Sequence, residues 1–575
     1  MKTITPRSVL LAFSLALITV TSPAAQEPTA KRIESADKEP QNWLTYGGNY
    51  NFWCYSALDQ INRDNIRNLA PAWAFSTGEL RGGLNSTPLV MDGVMYLVGP
   101  MNRVFAINAA TGEKLWSYYY KLPDRPVPYT SGTRGIALGY GLVYLGTLDN
   151  HLVAIDAKTG REVWDVEVQD TRQCGCNITS APLVVKDKVI VGGTGGETAH
   201  RGYLTAFDAR TGKFAWRFYT IPGPGEPGFE TWSKESWKYG GAPTWLTGSY
   251  DPELNLVYWG VGNPSSDFYG DEREGDNLYT DSIIALDADT GKLKWHFQEV
   301  PHDLYDFDSS YECVLVDVER GGRKQKLLLH ANKGGYSWVL DRTNGKFVSA
   351  YPHVDILTWM KGVDANGRPV DRQHVDPKGG TFVCPAIIGG RNWEHSTWSP
   401  RTGLWYNPAW EVCNIINPVK MEAREGQGFF GGGVAIKPPK DRAPYGHIDA
   451  VDPVTGERKW RYMTKYLNLS SLLSTGGDLI FAGDVEGNAF ALDARTGEQL
   501  WSFRMGGGVS GSPISYAVNG RQYVAIPSGM GSLLAGVIPE LWPEMKGREP
   551  ERASTLFVFA LPGTAGSKQA TSNGK

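Results

Sequence analysis

The chain is predicted to be all-β, an eight-bladed β-propeller built from Trp-docking repeats, and three observations predict it. A motif of the form A-x-[DN]-[AP]-x-T-G-x-x-x-W recurs, strand-like apolar stretches joined by tight turns separate its copies, and the two chain ends carry complementary parts of one unit. Complete copies run over 106–116, 154–164, 206–216, 285–295, 450–460 and 491–501, with a degenerate copy from Leu340 to Lys346.

Within each copy the Asp or Asn and the Thr can hydrogen-bond the turn backbone, and the Gly supplies a positive φ. The Trp offers a large plate to the neighbouring unit. Between copies, a segment such as 88–98, with Asp92-Gly93 at its centre, reads as strand, two-residue turn and strand. Adjacent copies begin 48, 52 and 41 residues apart (Ala106 to Ala154, Ala154 to Ala206, Ala450 to Ala491), which is propeller spacing. The stretch between Trp295 and Ala450 is counted as degenerate blades carrying insertions. Trp73 and the strand 556–561 are expected to complete one blade from both chain ends, leaving no open sheet edge. One ring over residues 26–575, with a short tail after about 562, then forms a single domain.

Residues 1–25 read as a cleavable signal peptide. Lys2 and Arg7 form a positive start, Val9 to Val20 an apolar run too short to span a bilayer, and Ser22-Pro23-Ala24-Ala25 a small-residue cleavage site. Export to the periplasm follows, and with it an oxidising compartment in which the six Cys can pair. A net charge of -4 excludes the clustered positive charge that nucleic-acid binding requires. No membrane span is expected after the leader.

Several separated segments place an oxygen-bearing side chain beside glycine or a turn: Glu197 in 193–197, Asn263 in 260–264, and Asp306 with Asp308 in 301–308. Carboxylates and one amide carbonyl form an all-oxygen set suited to a hard cation, although each alone is a weak signal because Asp and Asn are common turn residues.

Taken together, the repeats and these segments resemble the quinoprotein methanol and ethanol dehydrogenases over nearly all of the mature chain. The resemblance implies pyrroloquinoline quinone as cofactor and one metal ion held by Glu197, Asn263 and Asp306. It makes Asp306 the general base for the alcohol's proton, and places Lys333 beside the reactive quinone oxygen as a second catalytic residue. Arg134, Thr179, Thr194, Gly195 and Gly196 match cofactor contacts, Trp245 matches the floor on which the cofactor stacks, and Asn392 and Trp393 match a further edge. Read without the resemblance, Trp245 is one of 20 Trp and a blade-packing residue, and Lys333 a solvated loop lysine. Cys384 and Cys413 align with a structural disulfide of the family.

Departures from the family pattern bear on the metal, the pocket and the thiols. Asp308 stands where the calcium-type members have a small residue and lanthanide-dependent members carry Asp. Two residues beyond Asp306 on an extended segment, it would return to the same face, so a lanthanide(III) ion is favoured over calcium. The alternative is a solvated or turn-forming Asp. The adjacent Cys pair of the family is absent, 128–131 filling its place. Cys174 and Cys176 could form a compensating ring, but a bridge across one residue is strained, so two unpaired thiols are expected. In the substrate pocket a family Glu falls at Asn85, and two Trp fall at Leu469 and Leu533. Their loss makes room for an alcohol bulkier than methanol, with 360–384 as a candidate rim.

The resemblance further implies a soluble cytochrome c as electron acceptor, since no C-x-x-C-H haem motif occurs in the sequence. A monomer and a homodimer are both compatible with the pattern. Two rival readings share part of this pattern. A propeller scaffold of the outer-membrane assembly type shares the Trp repeat but has no use for Glu197, Asn263, Asp306, Lys333 and Trp245 together. A quinoprotein sugar or polyol dehydrogenase remains compatible with the site.

Overall fold

The computed structural model describes residues 30–124, 132–548 and 552–563; the leader, 128–131 and most of the tail lie outside them. Among the described residues the chain forms seven antiparallel sheets of four strands, one of five, and two smaller sheets, with only three short α-helices. The first large sheet shows the common plan: Leu89–Met91, Val94–Gly99, Arg103–Asn108 and Lys114–Tyr119 follow one another as a meander. Its second and third strands are almost wholly buried, whereas the fourth strand of the next sheet, Glu162–Glu167, alternates exposed and half-buried residues. Strands covered on both faces need continuous apolar sequence and edge strands do not.

The repeat motif performs two jobs. Asp156 Oδ1 accepts hydrogen bonds from the Thr159 amide and hydroxyl, both at 2.7 Å, which closes the turn. Gly160 then sits at φ +72°, and a Cβ there would lie 2.7 Å from the Trp116 ring of the preceding sheet. Trp116 Nε1 donates to the Ala157 carbonyl at 3.0 Å. The same docking recurs with Trp164 on Gly212, Trp216 on Gly291 and Trp460 on Gly497. Each Trp therefore clamps its own sheet to the following turn. A side chain in place of the Gly would collide with the indole.

The last large sheet combines Ile514–Val518, Arg521–Ser528 and Thr555–Ala560 with Ala70–Ser76 from the other chain end, Phe75 opposite Leu556. Trp73 of that sheet lies against Gly112 of the first, so the docking pattern carries through the chain ends. After Trp295 two further four-stranded sheets form, one within 314–352 and one that begins at Thr397 and takes in the repeat copy at 450–460. The insertion supplies the small ones, a hairpin (Gly362–Val363 with Pro369–Val370) and a three-stranded sheet of Thr381–Val383, Cys413–Pro418 and Gly432–Lys437. Cys384 and Cys413 are disulfide-bonded at its base.

Cys174 and Cys176 are also bonded to each other, which corrects the expectation of two unpaired thiols. The intervening Gly175 adopts φ +60° and the two Cα atoms stand 5.0 Å apart, within the range a disulfide requires. No helix of the described residues is long and apolar enough to cross a membrane.

Candidate active site

Glycine-rich connections beside the inner strands gather the site. Among the described residues, a cavity of about 180 Å³ is lined by Asn85, Arg134, Thr179, Thr194, Gly195, Gly196, Glu197, Trp245, Asp308, Lys333, Asn392, Trp393 and Leu533 of the anticipated residues, with Gly531, Ser532 and Leu534 in addition. Arg134 lies over two indoles, 4.9 Å from the Trp245 ring centre and 5.0 Å from that of Trp393. Its Nη1 donates to Thr179 Oγ1 at 2.7 Å, and burial lowers its proton affinity. A cationic edge, a hydroxyl and two aromatic faces suit a flat, anionic ligand. Trp245 is thus a cavity wall, and Lys333, 6% exposed, is no solvated loop lysine.

Asn263 and Asp306 lie just behind the lining. The Asn263 side-chain carbonyl is buried without a hydrogen-bond partner. It faces Gly196, where a Cβ would come within 2.1 Å of that oxygen. Lys333 Nζ is clamped between Asp306 Oδ1 at 2.8 Å and Asp308 Oδ2 at 2.7 Å. Asp308 Oδ1 accepts from Trp245 Nε1 at 3.1 Å and from the Asn263 backbone N–H at 3.2 Å, so the side chain is neither solvated nor a turn former.

The segment carrying the two aspartates is not extended, which corrects the reasoning for their shared direction. Asp306 adopts φ +59°, in the left-handed region that costs a non-glycine residue free energy. Asp303 holds it there, its carboxylate accepting the amides of Tyr305 at 2.8 Å and Phe307 at 2.7 Å. A turn rather than strand alternation brings both carboxylates to Lys333.

Burial pushes the Asp306 carboxyl well above its ordinary range, Lys333 opposes this, and Asp308 and Glu197 add to it. Burial alone would depress Lys333, but Asp306 and Asp308 hold its ammonium well above the usual lysine value. Asp267, which sequence reasoning missed, is raised by burial and by the nearby Asp306 and Glu197, and its Oδ1 accepts from Asn263 Nδ2 at 3.2 Å. It stands four residues after Asn263, and only the fold reveals that it turns inward.

Among the described residues no three His, Cys, Asp or Glu side chains are grouped as a ready metal cage. The residues nevertheless fit a hard cation: the acidic groups outnumber the one ammonium clamped among them, and the Asn263 oxygen is a buried acceptor awaiting a positive partner.

Leu469 does not line the cavity; it is fully buried with Trp410, Tyr466 and Trp542 in a cluster against which Leu534 packs. Leu533, 71% exposed, does line it. Residues 360–384 contribute nothing to the lining. The Cys174–Cys176 disulfide sits behind the Thr194 to Glu197 segment, where the Cys174 carbonyl accepts from Thr198 Oγ1 at 3.0 Å.

Comparison with known proteins agrees with this geometry. Residues 43–353 and 436–524 match the family described as "PQQ: Glucose/ethanol/alcohol dehydrogenase, beta-propeller domain". The chain is 38% identical to the quinoprotein alcohol dehydrogenase PedH of Pseudomonas putida, over 97% of this chain and 98% of that protein. It is 35% identical to the putative dehydrogenase XoxF of Paracoccus denitrificans, over 90% and 91% of the two chains. Among solved structures, a europium-containing methanol dehydrogenase superposes with a TM-score of 0.86 at 33% identity, covering 92% of this chain and all of the other. The fold is of the β-propeller type, and the chain belongs to the family of quinoprotein, pyrroloquinoline quinone-dependent alcohol dehydrogenases.

Proposed function

We propose that the chain is a periplasmic alcohol dehydrogenase in which eight large sheets form the blades of one ring over residues 26–575, after removal of the leader 1–25. The observation that carries the reading is the union, at one cavity, of the Arg134–Trp245–Trp393 cradle with the Lys333–Asp306–Asp308 triad. Pyrroloquinoline quinone, when bound, supplies the two-electron acceptor, and a neighbouring cation supplies Lewis acidity. Trp245 and Trp393 would enclose the quinone, Arg134 and Thr179 would hold its carboxylates, and Thr194, Gly195, Gly196 and Asn392 would border it. Glu197, Asn263, Asp306 and Asp308 would hold the cation.

Asp306 takes the alcohol's hydroxyl proton, and the Lys333 ammonium at 2.8 Å together with the neighbouring cation would keep its carboxylate ionised to receive it. Lys333 stays protonated and offers its N–H donors to developing negative charge. A lanthanide(III) ion is favoured over calcium because Asp308 adds a third carboxylate to Glu197 and Asp306. Asn85 and Leu533 at the cavity leave room for an alcohol bulkier than methanol, with Leu469 acting only through the cluster behind Leu534. Electrons pass to a soluble cytochrome c.

The test loads metal-free protein with the quinone and either calcium or lanthanum at equal occupancy, then follows dye-linked oxidation of alcohols and sugars. Lanthanum is expected to support turnover of alcohols, and Asp308→Ala to lose it. Full activity with calcium that is indifferent to Asp308→Ala would overturn the metal assignment, and no alcohol oxidation with either ion would overturn the enzyme reading.

A further inference from the structure

A second buried polar cluster, centred on one carboxylate, lies behind the triad. Glu299 is fully buried and has three side-chain partners. Its Oε2 accepts from Ser309 Oγ at 2.6 Å and from Asn332 Nδ2 at 3.0 Å, and its Oε1 pairs with His330 Nδ1 at 2.8 Å. Ser309 follows Asp308 directly, and Asn332 directly precedes Lys333. Asn332 Nδ2 also reaches Ser309 Oγ at 3.2 Å, and its Oδ1 accepts from the Gly334 amide at 3.0 Å. One carboxylate thus ties together the two chain segments that carry opposite charges into the active site. Apart from this hub, the Lys333 backbone is held by its carbonyl, which accepts from the Gly390 amide at 2.8 Å, while its own amide reaches the Asp308 carbonyl only at 3.4 Å.

We propose that Glu299 is a positioning residue that sets the distance between Lys333 and the Asp306–Asp308 pair, through Ser309 on one side and Asn332 on the other. The argument is geometric. A buried carboxylate with three donors is held rigidly, since any partner that leaves strands a charged acceptor in a dry interior. Motion of Ser309 relative to Asn332 is therefore resisted, and with it motion of Asp308 relative to Lys333. Groups that orient ligands from behind in this way alter metal affinity or rate by about 10- to 100-fold when changed. The proposal rests on the reading of the triad as part of a cation and quinone site.

Glu299→Gln retains the side chain's volume but turns one acceptor into a donor facing its former donors. Three measurements follow on the full chain: lanthanum and calcium binding to metal-free protein by calorimetry, kcat and KM per bound quinone, and the urea midpoint. Metal affinity and kcat are expected to fall about tenfold or more, with the alcohol KM within about threefold. A purely structural role would lower the midpoint alone. Wild-type metal affinity and kcat in Glu299→Gln, whatever the midpoint, would overturn the proposal. Should that variant not fold, Ser309→Ala and Asn332→Ala each remove one donor and must shift affinity and kcat in the same direction; no shift in either overturns it. If the loaded wild type oxidises no alcohol, the enzyme reading fails, and the calorimetric arm still decides the role of Glu299.

Discussion

Replacing Lys333 with Met tests the electrostatic core of the site. The substitution keeps an unbranched side chain of similar length and removes the ammonium that Asp306 and Asp308 approach at 2.8 and 2.7 Å. With an effective dielectric constant of ~20, each contact carries ~6 kcal/mol of Coulomb attraction. Desolvation of the three charges offsets most of it, and removal of one partner from a buried ion pair costs about 3–5 kcal/mol, because a charge is left uncompensated. Metal-free Lys333→Met should therefore be less stable than the metal-free parent by about 3–5 kcal/mol at pH 7. The pH dependence has a definite sign. Burial already raises Asp306, and loss of Lys333 raises it further. A carboxyl raised in the folded state favours folding at low pH and loses that contribution as pH rises. The deficit is thus largest near neutrality and fades toward pH 4. Urea unfolding in chelator across pH 4–8, repeated with lanthanum, measures it. A deficit below about 1 kcal/mol at pH 7, or one that lanthanum does not reduce, would refute the picture of acidic groups short of positive charge.

Two further outcomes follow from other parts of the structure. Burial pushes the Glu394 carboxyl up to about 8, against the pull of Arg391 and Arg134. The folded chain therefore loses stability as pH rises from about 4.5 to 8, by about 1.4 kcal/mol per pH unit at most. Glu394→Gln should gain on the parent over that window, and a difference in urea midpoint that does not change with pH would show the carboxyl to be ordinary. Gly196→Ala would set a Cβ 2.1 Å from Asn263 Oδ1. A fully folded variant with activity and cation affinity reduced at least about tenfold is expected, checked by circular dichroism, calorimetry and turnover.

The sequence alone determined the architecture and most of the residues at the cavity. The Asp-Thr-Gly turn is a local device whose hydrogen bonds close within a few residues, and its Trp stands at a fixed offset, so each copy can be recognised without knowing its neighbours. The Gly-rich segments around Glu197 and Asn263 are likewise legible, because backbone approach without a Cβ leaves a mark in the sequence. What the Trp docks against, that it meets the next turn and that Trp73 carries this through the chain ends, required the tertiary structure. So did the turn at Asp306, where Asp303 enforces a left-handed residue that no periodicity announces. The Cys174–Cys176 bond depended on the conformation of Gly175. The inward turn of Asp267, the burial of Leu469 behind the cavity and the Glu299 hub were also decided there. Some of these cases join residues distant in sequence, as at Trp73, Leu469 and Glu299, and the others turn on a local backbone conformation that sequence pattern does not announce, as at Gly175 and Asp306. Burial then turns ordinary acidic or apolar side chains into members of a site.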